Sequence, residues 1–465
     1  GRNVDLFTGG TFSGAILALG IAAVEAWGGL DGVTISLGSI VARTHGEITG
    51  RLDAAYDIAA TAHGDIAASA DIQAGERMAI DTGGVMRADL IAGQRVEVDA
   101  RAFAAGASVM SANDQVDVAV LEAISGAQFV GPAGVTILAG GDVDAYVETH
   151  QADAVTSITS RTGVSDLDFK TPQGQVDVVA MGAVAMAQQA SEVPEAMAPK
   201  SISVTAFGAV AASSLLAHES LDLTALSNDS GPATIAVLDA RTLGAEADIN
   251  LFAMDAIVGQ YAATGDLSAT SLQDITGSYT AEGGDALLIA GGSVTDDTDV
   301  SAGGDAIVVA AGSGEAGAIH ASIDADNDAI LLANGDITGL ANAGVNASVT
   351  SLKGKVDSAV TAATGNADVF AKTHVLKNVT AGVDVSVIAT DAVDGHVTAD
   401  GSAYITVLGS DGGGTGALSG MVTAELDVSV FAVNVASGAQ ITAVTGDASV
   451  AVEATLSGPV TAGGS

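Results

Sequence analysis

Residues 283–290 read Gly-Gly-Asp-Ala-Leu-Leu-Ile-Ala, and residues 303–310 read Gly-Gly-Asp-Ala-Ile-Val-Val-Ala. A third copy, Asn327-Asp-Ala-Ile-Leu-Leu-Ala333, follows at a similar interval, and looser copies begin at Gly365, Gly382, Gly401 and Gly446. The first half carries the pattern more faintly: His45-Gly-Glu-Ile48 recurs as His63-Gly-Asp-Ile66, and Val96-Glu-Val98 recurs as Val116-Asp-Val118. Each copy has the same local logic. A Gly, Asp or Asn pair makes a turn, because these residues tolerate positive φ or bond their own backbone. A short β-branched run follows, as in Val383-Asp-Val-Ser-Val387, and then a second small polar turn. Short strands at intervals of about 20 residues, without helical periodicity, describe a stack in which each unit buries its apolar side only against its neighbours.

The fold class expected is therefore all-β: a single-stranded parallel β-solenoid, with the right-handed β-helix as its expected form. At about 20 residues per coil, the 465 residues make roughly 23 coils; at ~4.8 Å per coil the stack would run on the order of 110 Å. Leu287, Ile289, Ile307, Val309, Ile330, Leu332, Val385, Val387, Val428 and Val430 are expected to point inward in stacked rows. Composition agrees with a narrow core. Apolar residues make up 48% of the chain but aromatic ones only 3%, with a single Trp27, so Ala, Val, Ile and Leu must fill the interior. The mean hydropathy of +0.44 excludes a disordered chain.

Three stretches depart from the register. Residues 1–35, with Phe7, Phe12 and Trp27, are read as an atypical N-terminal cap or joining element. Within it Ser13 is placed to cap a short helix through the apolar run 14–24. Residues 36–465 are read as one continuous solenoid, with an insertion near 183–199 that stretches one interval to 26 residues. Residues 225–250, around Gly231-Pro232, are irregular as well. The run 14–24 is too short to span a bilayer, which takes ~20 apolar residues.

The run Gly284-Asp-Ala-Leu287-Leu-Ile289-Ala290-Gly-Gly292-Ser-Val294 and its copies resemble the repeats of filamentous-haemagglutinin-like and other large bacterial surface β-helix proteins. Coils in that family read Gly-x-Leu-x-Leu-x-Ala-Gly-x-Ile. The resemblance covers most of the chain past residue 60. It implies the β-helix fold and an extracellular, cell-surface role in bacteria, and it brings no active site. The family's N-terminal secretion domain has no counterpart here, which marks the chain as an expected piece or mature product.

Chemistry is sparse. The absence of cysteine excludes thiolate metal sites and cysteine nucleophiles. With 56 acidic against 15 basic residues and a net charge of −41, neither nucleic acid nor an anionic membrane is an expected partner. Between residues 242 and 352 there are 16 acidic residues and no Lys or Arg. Within that stretch Asp324, Asp326 and Asp328 alternate as a calcium loop does, although Ala329 stands where such a loop needs Gly. They are the candidate metal ligands, and calcium is the one cofactor considered. His45 and His63, one coil apart, are expected to stack at a turn. No Gly-x-Ser-x-Gly elbow or fixed triad is present. The expected function is thus non-enzymatic: a structural solenoid of an extracellular fibre, adhesin stalk or surface layer. Its partners would be further copies joined head to tail, further repeats of a longer chain, or cell-surface glycans. The alternative is a carbohydrate-active β-helix enzyme, a polysaccharide lyase or hydrolase, which requires a groove of convergent carboxylates, basic groups and aromatics.

Overall fold

The structure, a computed structural model, describes residues 2–186, 198–227, 231–313, 317–409 and 415–464. It is an all-β, parallel solenoid of about 23 turns of roughly 19 residues each. The chain divides into two compact units, Gly1–Asp239 and Ala240–Ser465.

In the first unit, Val4–Thr8 pairs in parallel with Ala22–Ala26, which pairs with Ile40–Thr44, which pairs with Ile58–Ala62. Each of these coils adds a single bridging residue, in the column Phe12, Leu30, Ile48, Ile66 and Met86, and a four-residue strand such as Val33–Ser36. The N-terminal apolar run is therefore no helix. Residues 14–24 form the strand Ala15–Ala18 and the start of Ala22–Ala26. Gly20, at the intervening turn, packs against the backbone of Arg2, where a Cβ would lie 2.5 Å from its carbonyl oxygen. Periodicity alone does not separate the two readings, because a run this short fits a helix or two strands bent at a glycine equally well.

The long interval also appears. Gln175 pairs with Ser201 across 26 residues, and the ladder runs in register from there to Ala180 and Ala206. The expected insertion itself lies mostly in residues 187–197, outside the described residues.

In the second unit, Ala286–Ala290, Ala306–Ala310 and Ala329–Ala333 stack residue for residue. Here the inward set differs from expectation by one position. Ala286, Leu288 and Ala290 are buried, as are Ala306, Val308 and Ala310, and Ala329, Leu331 and Ala333. Leu287, Ile289, Ile307, Val309, Ile330 and Leu332 face outward. Because side chains alternate with period 2, a one-residue slip exchanges the two faces completely. Val385, Val387, Val428 and Val430 do point inward, at 2% exposure or less.

Rings also enter the core, contrary to the expectation from width. Phe103 and Phe129 are buried edge to face, and Tyr261 and Tyr279 are buried and stacked with centroids 5.4 Å apart. The tyrosines follow paired glycines: Gly259 and Gly277 are register partners with φ of 147° and 126°. A Cβ on Gly277 would meet the Gly259 carbonyl oxygen at 1.8 Å, so only glycine fits this step.

Turns are stitched to one another by side chains. In the second unit Asp248 Oδ1 accepts a hydrogen bond from the Asp266 N–H, Asp266 from Asp285, Asp285 from Asp305, and Asp305 from Asp328. Asp328, Asn346, Asn366 and Asp384 continue the column by accepting from the N–H groups of Asn346, Asn366, Asp384 and Ser402. Four of these steps stack like charges one coil apart, which in water costs about 1 kcal/mol per pair and is screened by salt. Asp285→Asn keeps the acceptor and removes one charge, so its melting temperature should rise and its dependence on salt should shrink. Asp285→Ala leaves the Asp305 N–H without its acceptor and should lose about 1 kcal/mol. Thermal unfolding at low and high salt checks both.

Candidate functional site

Outward positions form grooves along the first unit, and two of these are bordered by three or more carboxylates. One lies across the strands Ile58–Ala62, Met78–Met86, Val96–Phe103, Gln115–Val120 and Gly134–Ala139. Register places Ala59, Ala79, Glu97, Asp117 and Thr136 in one outward column, and Thr61, Asp81, Asp99, Ala119 and Leu138 in the next. The alanines leave a depression of about 470 Å³ bordered by four carboxylates. Arg95 bridges Glu97 at 2.9 Å and Asp117 at 2.8 Å. Asp81, Glu97 and Asp99 are exposed.

The second groove, of about 420 Å³, crosses Ile124–Val130, Val143–Glu148 and Val164–Lys170 and is lined by Gln128, Asp144, Tyr146, Asp166 and Asp168. Tyr146 pairs in register with Asp168, and Glu148 with Lys170. The Tyr146 hydroxyl donates to Glu148 Oε2 at 3.1 Å, and Lys170 Nζ donates to Glu148 Oε1 at 2.7 Å. His150 Nε2 stands 3.7 Å from the same carboxylate. These surroundings push the acids in opposite directions. Burial, with Asp166 alongside, raises Asp168 above the usual carboxylate range. Burial also acts to raise Glu148, but the hydrogen bonds from Lys170 and Tyr146 outweigh it and hold that carboxyl low. Burial, reinforced by Glu148, pushes the Tyr146 phenol up to about 12. A carboxyl raised by its surroundings near one held ionised is the arrangement acid–base chemistry uses. The sequence signals were Tyr146-x-Glu148 and Asp166-x-Asp168-x-Lys170, where alternation puts every titratable group on one face. Among so many acidic strands neither stood out.

The expected calcium ligands do not come together. Asp324 is exposed on the strand Ile319–Ala325, Asp326 lies on the turn beyond it, and Asp328 is spent in the turn column, accepting from the Asn346 N–H and Nδ2. Among the described residues no cluster of three or more His, Asp or Glu side chains could hold a metal ion. His45 and His63 do stack, edge to face at 4.5 Å, and Trp27 lies flat on His45 at 4.6 Å. Among the described residues no helix is long and apolar enough to cross a membrane.

No protein-family model, no curated protein and no solved structure matches this chain.

Proposed function

We propose that this chain is a non-enzymatic structural solenoid, a segment of an extracellular fibre, adhesin stalk or surface layer of a bacterial cell. The observation that carries the reading is the turn column of the second unit. There the carboxylates of the column between Asp248 and Asp384 each give one oxygen to the next coil's backbone N–H, so they serve stacking. The resemblance of the Gly-Asp-Ala-Leu-Leu-Ile-Ala repeats to surface β-helix proteins supports the same setting.

Association through the terminal coils of the isolated chain, or continuation of those coils into further repeats of a longer chain, belongs to this proposal. Val4 and Leu6 at one end, and Val450 and Val452 at the other, occupy inward positions yet are only half-buried. Exposed strand edges over apolar rows associate unless covered. Electron micrographs of native material should show continuous fibres or layers containing this chain, and light scattering should show the isolated chain associating with rising concentration. Isolated particles in the micrographs together with a monomer at every concentration would overturn the proposal.

The second reading, a carbohydrate-active enzyme, is favoured by one observation: the opposed carboxyls Asp168 and Glu148 beside Tyr146. The discriminating variant is Asp168→Asn. A carboxyl raised in the folded state contributes nothing below its unfolded pKa and costs stability once it ionises. Asp168→Asn should therefore raise the melting temperature at about pH 7 and change little at about pH 3. If the groove is catalytic, the same variant also abolishes reducing-end release from a panel of neutral polysaccharides; the structural proposal expects no such release from either protein.

A further inference from the structure

The one-residue difference in register leaves an apolar sheet face on the outside of the second unit. Leu287, Ile307 and Ile330 form one outward column, and Ile289, Val309 and Leu332 form the next. Ile330 and Leu332 are 40% and 37% exposed, and the other four are half-buried. Strands that are apolar on both faces belong to parallel sheets covered on both sides. Here the inner face meets the core and the outer face meets solvent, and exposed apolar patches of this kind mark interaction sites.

Charge selects among the possible occupants. Asp285, Asp305 and Asp328 share the outward face, two residues before the first aliphatic column, or about 6.6 Å at ~3.3 Å per residue. A second copy of this unit, laid face to face, would bring the same carboxylates, and from residues 242–352 it would bring no Lys or Arg to meet them. A partner that carries cations beside its apolar stripe satisfies both features of the face. We propose that this face docks a cationic amphipathic segment of another protein. Its apolar stripe lies across the two aliphatic columns, and its Lys or Arg side chains run along the column of carboxylates.

The probe is a labelled amphipathic Leu/Lys helical peptide of about 18 residues, roughly 27 Å long. It is compared by fluorescence anisotropy with a Ser/Lys peptide of equal charge, on the full chain near physiological salt. The amphipathic peptide should saturate and bind about tenfold or more tighter than the control. Two double variants, Ile307→Ser with Leu332→Ser and Asp285→Asn with Asp305→Asn, should each weaken it by a similar factor. The serine pair alters only outward positions, and an unchanged melting transition shows that its loss of binding is not unfolding. Equal binding of the two peptides, or full binding by the serine pair, would reduce the effect to diffuse attraction by an acidic chain and overturn the proposal. Self-association of the parent chain that disappears in the serine pair would also overturn it, by making a second copy the occupant.

Discussion

Val308→Asp is expected to abolish the cooperative melting of the coils around it, while Ile307→Asp, one residue earlier, leaves the transition nearly in place. Val308 is 0% exposed and stacked between Leu288 and Leu331, both buried. A carboxylate there is buried between aliphatic side chains and costs about 3–5 kcal/mol, a large share of the stability of any domain. Ile307 faces solvent, so the same substitution costs about 1 kcal/mol, from lost partial burial and the nearby Asp305 charge. Circular dichroism melts of the two variants side by side give the answer. A greater loss in Ile307→Asp than in Val308→Asp would mean that the inward set is the opposite one.

Tyr279→Ala should be comparably damaging. Tyr279 is 0% and Tyr261 1% exposed, and each ring is the other's neighbour in the stack. Deleting one ring opens a cavity flanked by backbone that cannot collapse, at about 3–5 kcal/mol for an aromatic residue cut to Ala. Tyr279→Phe keeps the ring and loses only the hydroxyl, which donates to the Thr276 carbonyl at 3.2 Å, so it should cost about 1 kcal/mol. Burial, with Tyr261 alongside, pushes the Tyr279 phenol well above its ordinary range. The stability linked to that phenol is complete below the unfolded value of about 10 and drains away as pH rises past it. Tyr279→Phe should therefore unfold less steeply with alkaline pH than the parent. Denaturant titrations across neutral and alkaline pH check both results, and a loss in Tyr279→Ala no larger than that of Tyr279→Phe would place the ring outside the core.

The solenoid was legible because its turns are written in residue types: Gly-Asp pairs recur wherever the chain must bend. Facing was legible only where polarity marks it. In Val385-Ser-Val-Ile-Ala389 the serine shows which side meets water, and the valines on either side of it are inside. In Ala286-Leu-Leu-Ile-Ala290 every residue is apolar, alternation is silent, and size suggests the wrong set. The signal that settles it is the last residue of each strand. Ala290, Ala310, Ala333, Ser351, Ala371 and Ala389 are register partners in successive coils. They are small because the coil turns there, and their position fixes the two inward residues before them. Buried Ser351 shows why a hydroxyl is tolerated at that corner: it donates to the Gly335 carbonyl at 2.7 Å. The groove around Tyr146 was not legible, because its residues come from three separate coils and meet only through register.

The turn column also makes coil number a free variable of the gene. Asp285 and Asp305 are 20 residues apart and play the same part, each giving its N–H to the carboxylate below and its carboxylate to the N–H above. If residues 285–304 were excised, Asp266 would meet the Asp305 N–H, Leu267 would meet Ala306 in place of Ala286, and Ile275 would meet Ile319 in place of Val294. These turn and ladder bonds, lost at the upper side of the cut, are remade at the lower. In-frame loss or duplication of whole coils is thus a change of length without a change of fold, and the octapeptides at 283 and 303, identical at five of eight positions, bound one such coil.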